Sequence, residues 1–168
     1  MVFIGIITDS KSKDNIYNLL KHNKILKENI VIFINEANID NIKNVHFNTI
    51  VINSKFSKID ELNALLSNTQ NIIVNVDEEI ELNELNLFNL NLITYGFNSK
   101  SSVTISSITD DEILICIQRN LCFNSKTIEV QEVKIENSSH NIYDLIVALI
   151  LFLMYSSTLD IIHINSIK

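Results

Sequence analysis

Proline and tryptophan are absent from this 168-residue chain, glycine and cysteine occur twice each, and Arg119 is its one arginine. Each scarcity excludes something. Collagenous, mucin-like and flexible-linker chains are built from proline, glycine and serine, so none of them fits. Cys116 and Cys122 lack Cys-x-x-Cys spacing and make neither a disulfide framework nor a zinc site. They are expected as structural thiols. A net charge of −7 with 13 lysines and arginines leaves no basic stripe to neutralise phosphates, which argues against a nucleic-acid partner. Long apolar runs are also missing. The longest, Leu145 to Tyr155, has eleven residues where crossing a bilayer takes about 20, so it is expected as a buried helix and not as a membrane span. The N-terminus has no basic segment ahead of its apolar residues and meets Asp9 early, unlike a cleavable signal. A cytoplasmic location is the expectation.

What is present is a hydrophobic fraction of 46% against 20% charged, enough to bury a sizeable core and to exclude disorder. One domain over residues 1–168 is expected, with no linker or internal repeat. The 24 asparagines and 31 isoleucines point to AT-rich coding, and most asparagines are read as tolerated surface polar residues without a role.

The pattern of apolar runs predicts an α/β fold: a mixed sheet with parallel βα units in the first half, and antiparallel hairpins plus a buried helix in the second. Buried strands are expected at Val2 to Ile7, Ile30 to Ile34, Thr49 to Ile52 and Ile72 to Val76. Surface helices are expected over Lys13 to Leu26 and around Ile59, Leu62, Leu65 and Leu66. After about residue 90 partial period-two alternation predicts hairpin strands at Leu92 to Tyr95, Ser102 to Ser106, Glu112 to Gln118 and Thr127 to Ile135. Thr109, Asp110 and Asp111 make one turn, and Gln131-Glu132 marks a bulge or register change. Ser139 to Tyr155 reads as a helix apolar nearly all round, and Asp160 to Ile167 as a closing strand.

The order of these pieces, together with their residues, resembles the central ATP-binding domain of the Mur ligases, the enzymes that add amino acids to peptidoglycan precursors. Phe3-Ile4-Gly5-Ile6-Ile7-Thr8-Asp9-Ser10-Lys11-Ser12-Lys13 stands where that family has a strand running into its Gly-rich phosphate loop. Phe47 to Asn53 is similar to the strand leading to an Asp-His-Leu-Asp segment, and Val74-Asn75-Val76-Asp77-Glu78 to the strand ending in Asn-x-Asp-Asp. Ile93-Thr94-Tyr95-Gly96-Phe97-Asn98 looks like the family's Thr-x-Gly strand. Ser139-His140-Asn141-Ile142-Tyr143-Asp144 opens an apolar helix as the family's Gly-x-His-Asn-x-x-Asn does, and His140-Asn141 is the most specific piece.

The departures decide the functional expectation. A phosphate loop needs glycines so that backbone amides can approach the anion, and none occurs from Ile7 to Lys13. Ser10, Lys11, Ser12 and Lys13 are the side chains there able to hold an anion at a helix start, against the plainer reading of a strand-to-helix loop. Where the family supplies an aspartate and a histidine near its metal and phosphates, this chain reads Ser54-Lys55-Phe56-Ser57-Lys58-Ile59-Asp60 with no histidine, and separate domains for precursor and amino acid are not expected. The resemblance therefore implies a relative without ligase activity, since phosphoryl transfer depends on those cations and donors.

Asp77, Glu78, Glu79, Glu81 and Glu84 form the densest acidic patch. Oxygen ligation of a cation is weighed against the commoner placement of such residues in a helix's first turn, and the second is favoured. His22, His46, His140 and His163 show no metal-binding spacing, so no metal site is expected. His140 stands at a helix start, with Ser138 or Ser139 expected as the N-cap. A nucleophilic serine elbow is absent, and Cys116 between Ile115 and Ile117 reads as a buried thiol. The expected function is a non-catalytic Mur-ligase-like binding or scaffold module, linked through kinship to cell-envelope or spore-envelope processes, with a protein partner or a second copy of itself and no cofactor. The alternative is a small enzyme or ligand sensor using the remnant cleft, with Lys11, Lys13, Asp77, His140 and Asn141 as its residues. Convergence of the last three on an open pocket would favour the alternative, and a filled cleft the scaffold.

Overall fold

A computed structural model describes residues 1–123, 126–137 and 140–156. Among them run ten strands: β1 (Phe3–Ile7), β2 (Ile30–Ile34), β3 (Thr49–Ile52), β4 (Asn71–Asn75), β5 (Asn91–Tyr95), β6 (Val103–Ile108), β7 (Glu112–Ile117), β8 (Leu121–Phe123), β9 (Lys126–Ile128) and β10 (Gln131–Glu136). The helices are α1 (Ser10–His22), α2 (Ile25–Glu28), α3 (Ile59–Leu66) and α4 (Ile142–Tyr155). The closing strand expected at Asp160 to Ile167 lies outside the described residues.

Eight strands form one sheet in the order β10-β7-β6-β5-β4-β3-β1-β2, and β8 and β9 pair with each other apart from it. The stretch β2-β1-β3-β4-β5 is parallel throughout. The mixed α/β sheet expected from the sequence is thus present, with one correction to its boundary. Leu92 to Tyr95 belongs to the parallel half, because β5 runs alongside β4 from Asn71↔Asn91 to Asn75↔Tyr95. Antiparallel pairing begins where β6 meets β7 and continues from β7 to β10, with an irregularity between Ile105 and Ser107.

Helices cover both faces, so these strands are apolar on both sides. Ile4, Ile6, Val51, Ile73, Ile93 and Tyr95 face α1 and α4 in one core. Ile7, Ile50, Ile52, Ile72 and Val74 face α3 and the short 3-10 turn Ile39–Ile42 in the other. Nine residues of α4, from Asp144 to Leu151 and Met154, are buried, as a helix apolar nearly all round must be.

Other expectations are corrected by packing. The helix expected over Lys13 to Leu26 starts earlier and breaks after His22. Asn23 caps α1 by donating its backbone and side-chain N–H groups to the Leu19 carbonyl, and Lys24 takes a left-handed φ of 60°. That turn carries Ile25 into the core at 3% exposure. The strand expected over Thr127 to Ile135 is two strands, because Ile128 pairs with Leu121 in the small sheet whereas β10 joins β7. Cys116 is half-buried and not the buried thiol expected, since period two sends Ile115 and Ile117 inward and Cys116 to the opposite side, and Cys122 is exposed. The N-cap of α4 is Asn141, whose side chain accepts from the Tyr143 amide at 2.9 Å.

Candidate functional site

Open parallel sheets place ligands outside the carboxyl ends of the strands, where the strand order reverses. Here that point lies between β1 and β3, because the chain leaves β1 for β2 on one side and proceeds from β3 to β4 on the other. Thr8 follows β1 and Asn53 follows β3 at this crevice. Asn75 ends β4, Tyr95 ends β5, and the first turn of α4 contributes Tyr143 and Asp144.

The crevice is occupied by the protein's own polar groups. Asp144 is completely buried. Its Oδ1 accepts from Asn53 Nδ2 and its Oδ2 from Asn15 Nδ2, each at 3.2 Å. Asn53 Nδ2 also donates to Thr8 Oγ1 at 3.0 Å, and Asn53 Oδ1 accepts from the Tyr95 hydroxyl at 2.5 Å. Asn75 Nδ2 donates to the Asn53 carbonyl at 3.5 Å. Burial pushes the Asp144 carboxyl above the usual aspartate range, with the hydrogen bonds from its neighbours opposing the rise. Burial, reinforced by the negative charge of Asp144, likewise drives the Tyr95 hydroxyl well above its ordinary value.

On the β1 side only Thr8 and Asp9 separate strand from helix. Asp9 is the N-cap of α1, and its Oδ1 accepts from the amides of Lys11 at 2.8 Å and Ser12 at 3.0 Å. The Ser12 amide above all holds the Asp9 carboxyl below the usual range. A carboxylate of the chain itself therefore sits on amides that a phosphate would need. Lys11 and Lys13 are exposed on the first turn of α1, and the Lys13 ammonium lies 5.7 Å from the centroid of the Phe33 ring on β2.

Asp77 stands on the opposite wall. Its Oδ2 accepts from the Phe97 amide at 2.6 Å and from the Tyr143 hydroxyl at 3.1 Å. Desolvation first, and the bond to Asp77 second, push the Tyr143 hydroxyl up to about 12. The Phe97 and Tyr143 rings meet edge to face at 5.7 Å. Gly96 allows this approach: its φ is +151°, and a Cβ there would fall 2.7 Å from the Asp77 carboxyl carbon. Asp77 is thus tied to the start of α4, beside the Asn141 cap, while His140 is half-buried in the bend before it.

The acidic residues after β4 do not open an α-helix, contrary to expectation. Val76 and Asp77 lie in a turn, Glu78 in a bend, and the 3-10 turn Leu82–Glu84 follows. Glu78, Glu79, Glu81 and Glu84 border a groove of about 590 Å³ whose apolar lining includes Phe56, Ile59, Ile80 and Leu85. This groove does not include Asp77, His140 or Asn141 among its lining residues. Among the described residues no group of three or more His, Cys, Asp or Glu side chains is placed to hold a metal ion.

Sequence reasoning places Asn75 only at the edge of the candidate cleft and gives Asn53, Tyr95 and Asp144 no site role. Treating asparagines as surface residues hid Asn53 and Asn75, which are 5% and 1% exposed. A signal existed, since each directly follows or ends an uninterrupted apolar strand, where a ligand-side position falls in an open α/β sheet. Asp144 is the acid heading an otherwise apolar helix, a position in which burial forces hydrogen bonding. A scan against protein-family models finds no match to the chain, and a search of the curated proteins finds none either.

Proposed function

We propose that this chain is a non-catalytic binding or scaffold module, built on the plan of the Mur ligase central domain without its nucleotide site and acting by association with a protein partner. Asp9 carries the reading. Its carboxylate caps the two amides at the start of α1 that would receive a phosphate in a nucleotide-binding relative, and the loop before it is two residues long. The hydrogen-bonded group around Asp144 supports it further, because the polar groups at the crevice are engaged with one another. A bacterial cell-envelope or spore-envelope setting follows from the same kinship.

Thermal unfolding with and without ATP and magnesium tests this. A ligand at about 100 times its dissociation constant stabilises the native state by roughly 2.7 kcal/mol. For a chain of this length that raises the midpoint by about 5 to 10 °C. No shift is expected at millimolar ATP. A rise that disappears in a Lys11→Ala, Lys13→Ala double variant would overturn the proposal in favour of a nucleotide sensor or enzyme. A rise lost in Asp77→Ala or His140→Ala would do the same and place the ligand on the opposite wall.

A further inference from the structure

The groove beside the filled crevice lies between the segment after β3 and the segment after β4, on the α3 face of the sheet. Phe56 and Leu85, 8% and 7% exposed, form its apolar floor, and the half-buried Ile59 and Ile80 contribute to its walls. Its border is mainly acidic. Glu78, Glu79, Glu81 and Glu84 are exposed there, and the one cation lining the groove among the described residues is Lys55, whose ammonium meets Glu79 Oε2 at 3.0 Å. Both members of that pair are largely solvated, so a competing cation can exchange with Lys55 at little cost.

We infer that this groove receives a basic, apolar peptide segment of a partner protein, with aliphatic side chains against Phe56, Ile59 and Ile80 and one or more lysine or arginine heads among the four glutamates. The charge arrangement selects that occupant. A second copy of this chain carries a net charge of −7 and is repelled, whereas a segment of opposite sign is steered in and held in register. The long stems of lysine and arginine suit a site with apolar walls and an acidic lip, because the methylenes are buried while the charge remains at the border. A volume of about 590 Å³ accommodates a few side chains, as an anchored peptide requires. This inference rests on the binding-module reading and names the site and partner class within it.

The test is an array of 12-residue peptides that combine lysine or arginine with leucine, isoleucine or phenylalanine at varied spacing, with uncharged and acidic counterparts. The strongest binder is then measured by fluorescence anisotropy. Binding is expected for basic, apolar peptides only, weakening as salt rises. The fourfold variant Glu78→Gln, Glu79→Gln, Glu81→Gln, Glu84→Gln should lose about tenfold or more in affinity. A charge-matched control remote from the groove, Asp110→Asn, Asp111→Asn, Glu129→Gln, Glu136→Gln, should bind nearly as wild type. Ile80→Ser should weaken the peptide without changing the salt dependence, which separates the apolar contact from the charges. Equal losses in the groove and control variants would overturn the inference in favour of net-charge attraction. So would equal binding of uncharged peptides, or no binding by any basic peptide. If peptides fail and ATP produces no thermal shift, the groove assignment falls and the binding-module reading stands. An ATP response removes that reading whatever the peptides do.

Discussion

Asp9 and Gly96 show how single residues shape the crevice at the carboxyl ends of the strands. Removing the cap by Asp9→Ala should cost about 0.5 to 2 kcal/mol in urea unfolding at neutral pH. Because the Asp9 carboxyl is held below its ordinary value of 3.8, its contribution is full above that value and is lost as pH falls through the lowered one. The wild type and variant should therefore converge in stability in acid, and a gap that persists below that range would show that Asp9 acts through something other than its charged cap. Gly96 is the second case. Gly96→Ala puts a methyl group against the Asp77 carboxyl in a backbone conformation that L residues rarely adopt, and should cost about 1 to 3 kcal/mol. Shortening the neighbour relieves the collision but not the backbone strain, so Gly96→Ala with Asp77→Ala should cost less than the sum of the two single changes. Strict additivity would mean that the two residues are not packed as the distances indicate. Neither relation is legible in sequence. Gly96 and Asp77 are 19 positions apart, and only the parallel pairing of β4 with β5 sets them side by side.

At the scale of elements, α4 is the clearest case of a role set by its own residues. Leu149 is fully buried, and Leu149→Asn deletes packing while burying an amide without prepared partners. A loss of about 2 to 5 kcal/mol is expected by chemical denaturation. A loss below about 1 kcal/mol would show that this face of the helix meets solvent in the folded protein. The edges of the sheet differ in character. At one edge β10 carries Glu132, Lys134 and Glu136, with Lys134 paired to Glu112 on β7, which discourages pairing with another chain. At the other, β2 is Ile-Val-Ile-Phe-Ile without a charge, and Asn38 Nδ2 donates to the Phe33 carbonyl at 2.8 Å. The break between α1 and α2 was illegible because Asn23 and Lys24 fit a helical pattern by polarity alone. What decides is the gain from turning Ile25 inward, and that depends on a neighbour far along the chain, α4.

At the scale of the whole molecule, strand and helix positions in the first half follow from local pattern, because a strand apolar on both faces and a helix apolar on one have different periods. The mixed α/β character and the buried final helix were legible on that ground. Strand direction was not: nothing in Leu92 to Tyr95 distinguishes a strand that continues the parallel stack from one that opens a hairpin, and the difference lies in its pairing with β4. The candidate site divides the same way. The sequence alone determined that no glycine lies between Ile7 and Lys13, where close approach of backbone amides to an anion favours residues without a Cβ. The tertiary structure alone decided what stands in the crevice instead. Asn15, Asn53, Tyr95 and Asp144 come from α1, β3's end, β5 and α4, and they meet only because the strand ends converge and α4 packs across them. Hydrogen bonds between such distant residues depend on positions to within a few tenths of an ångström, and that accuracy belongs to the packed core, not to any segment of the chain.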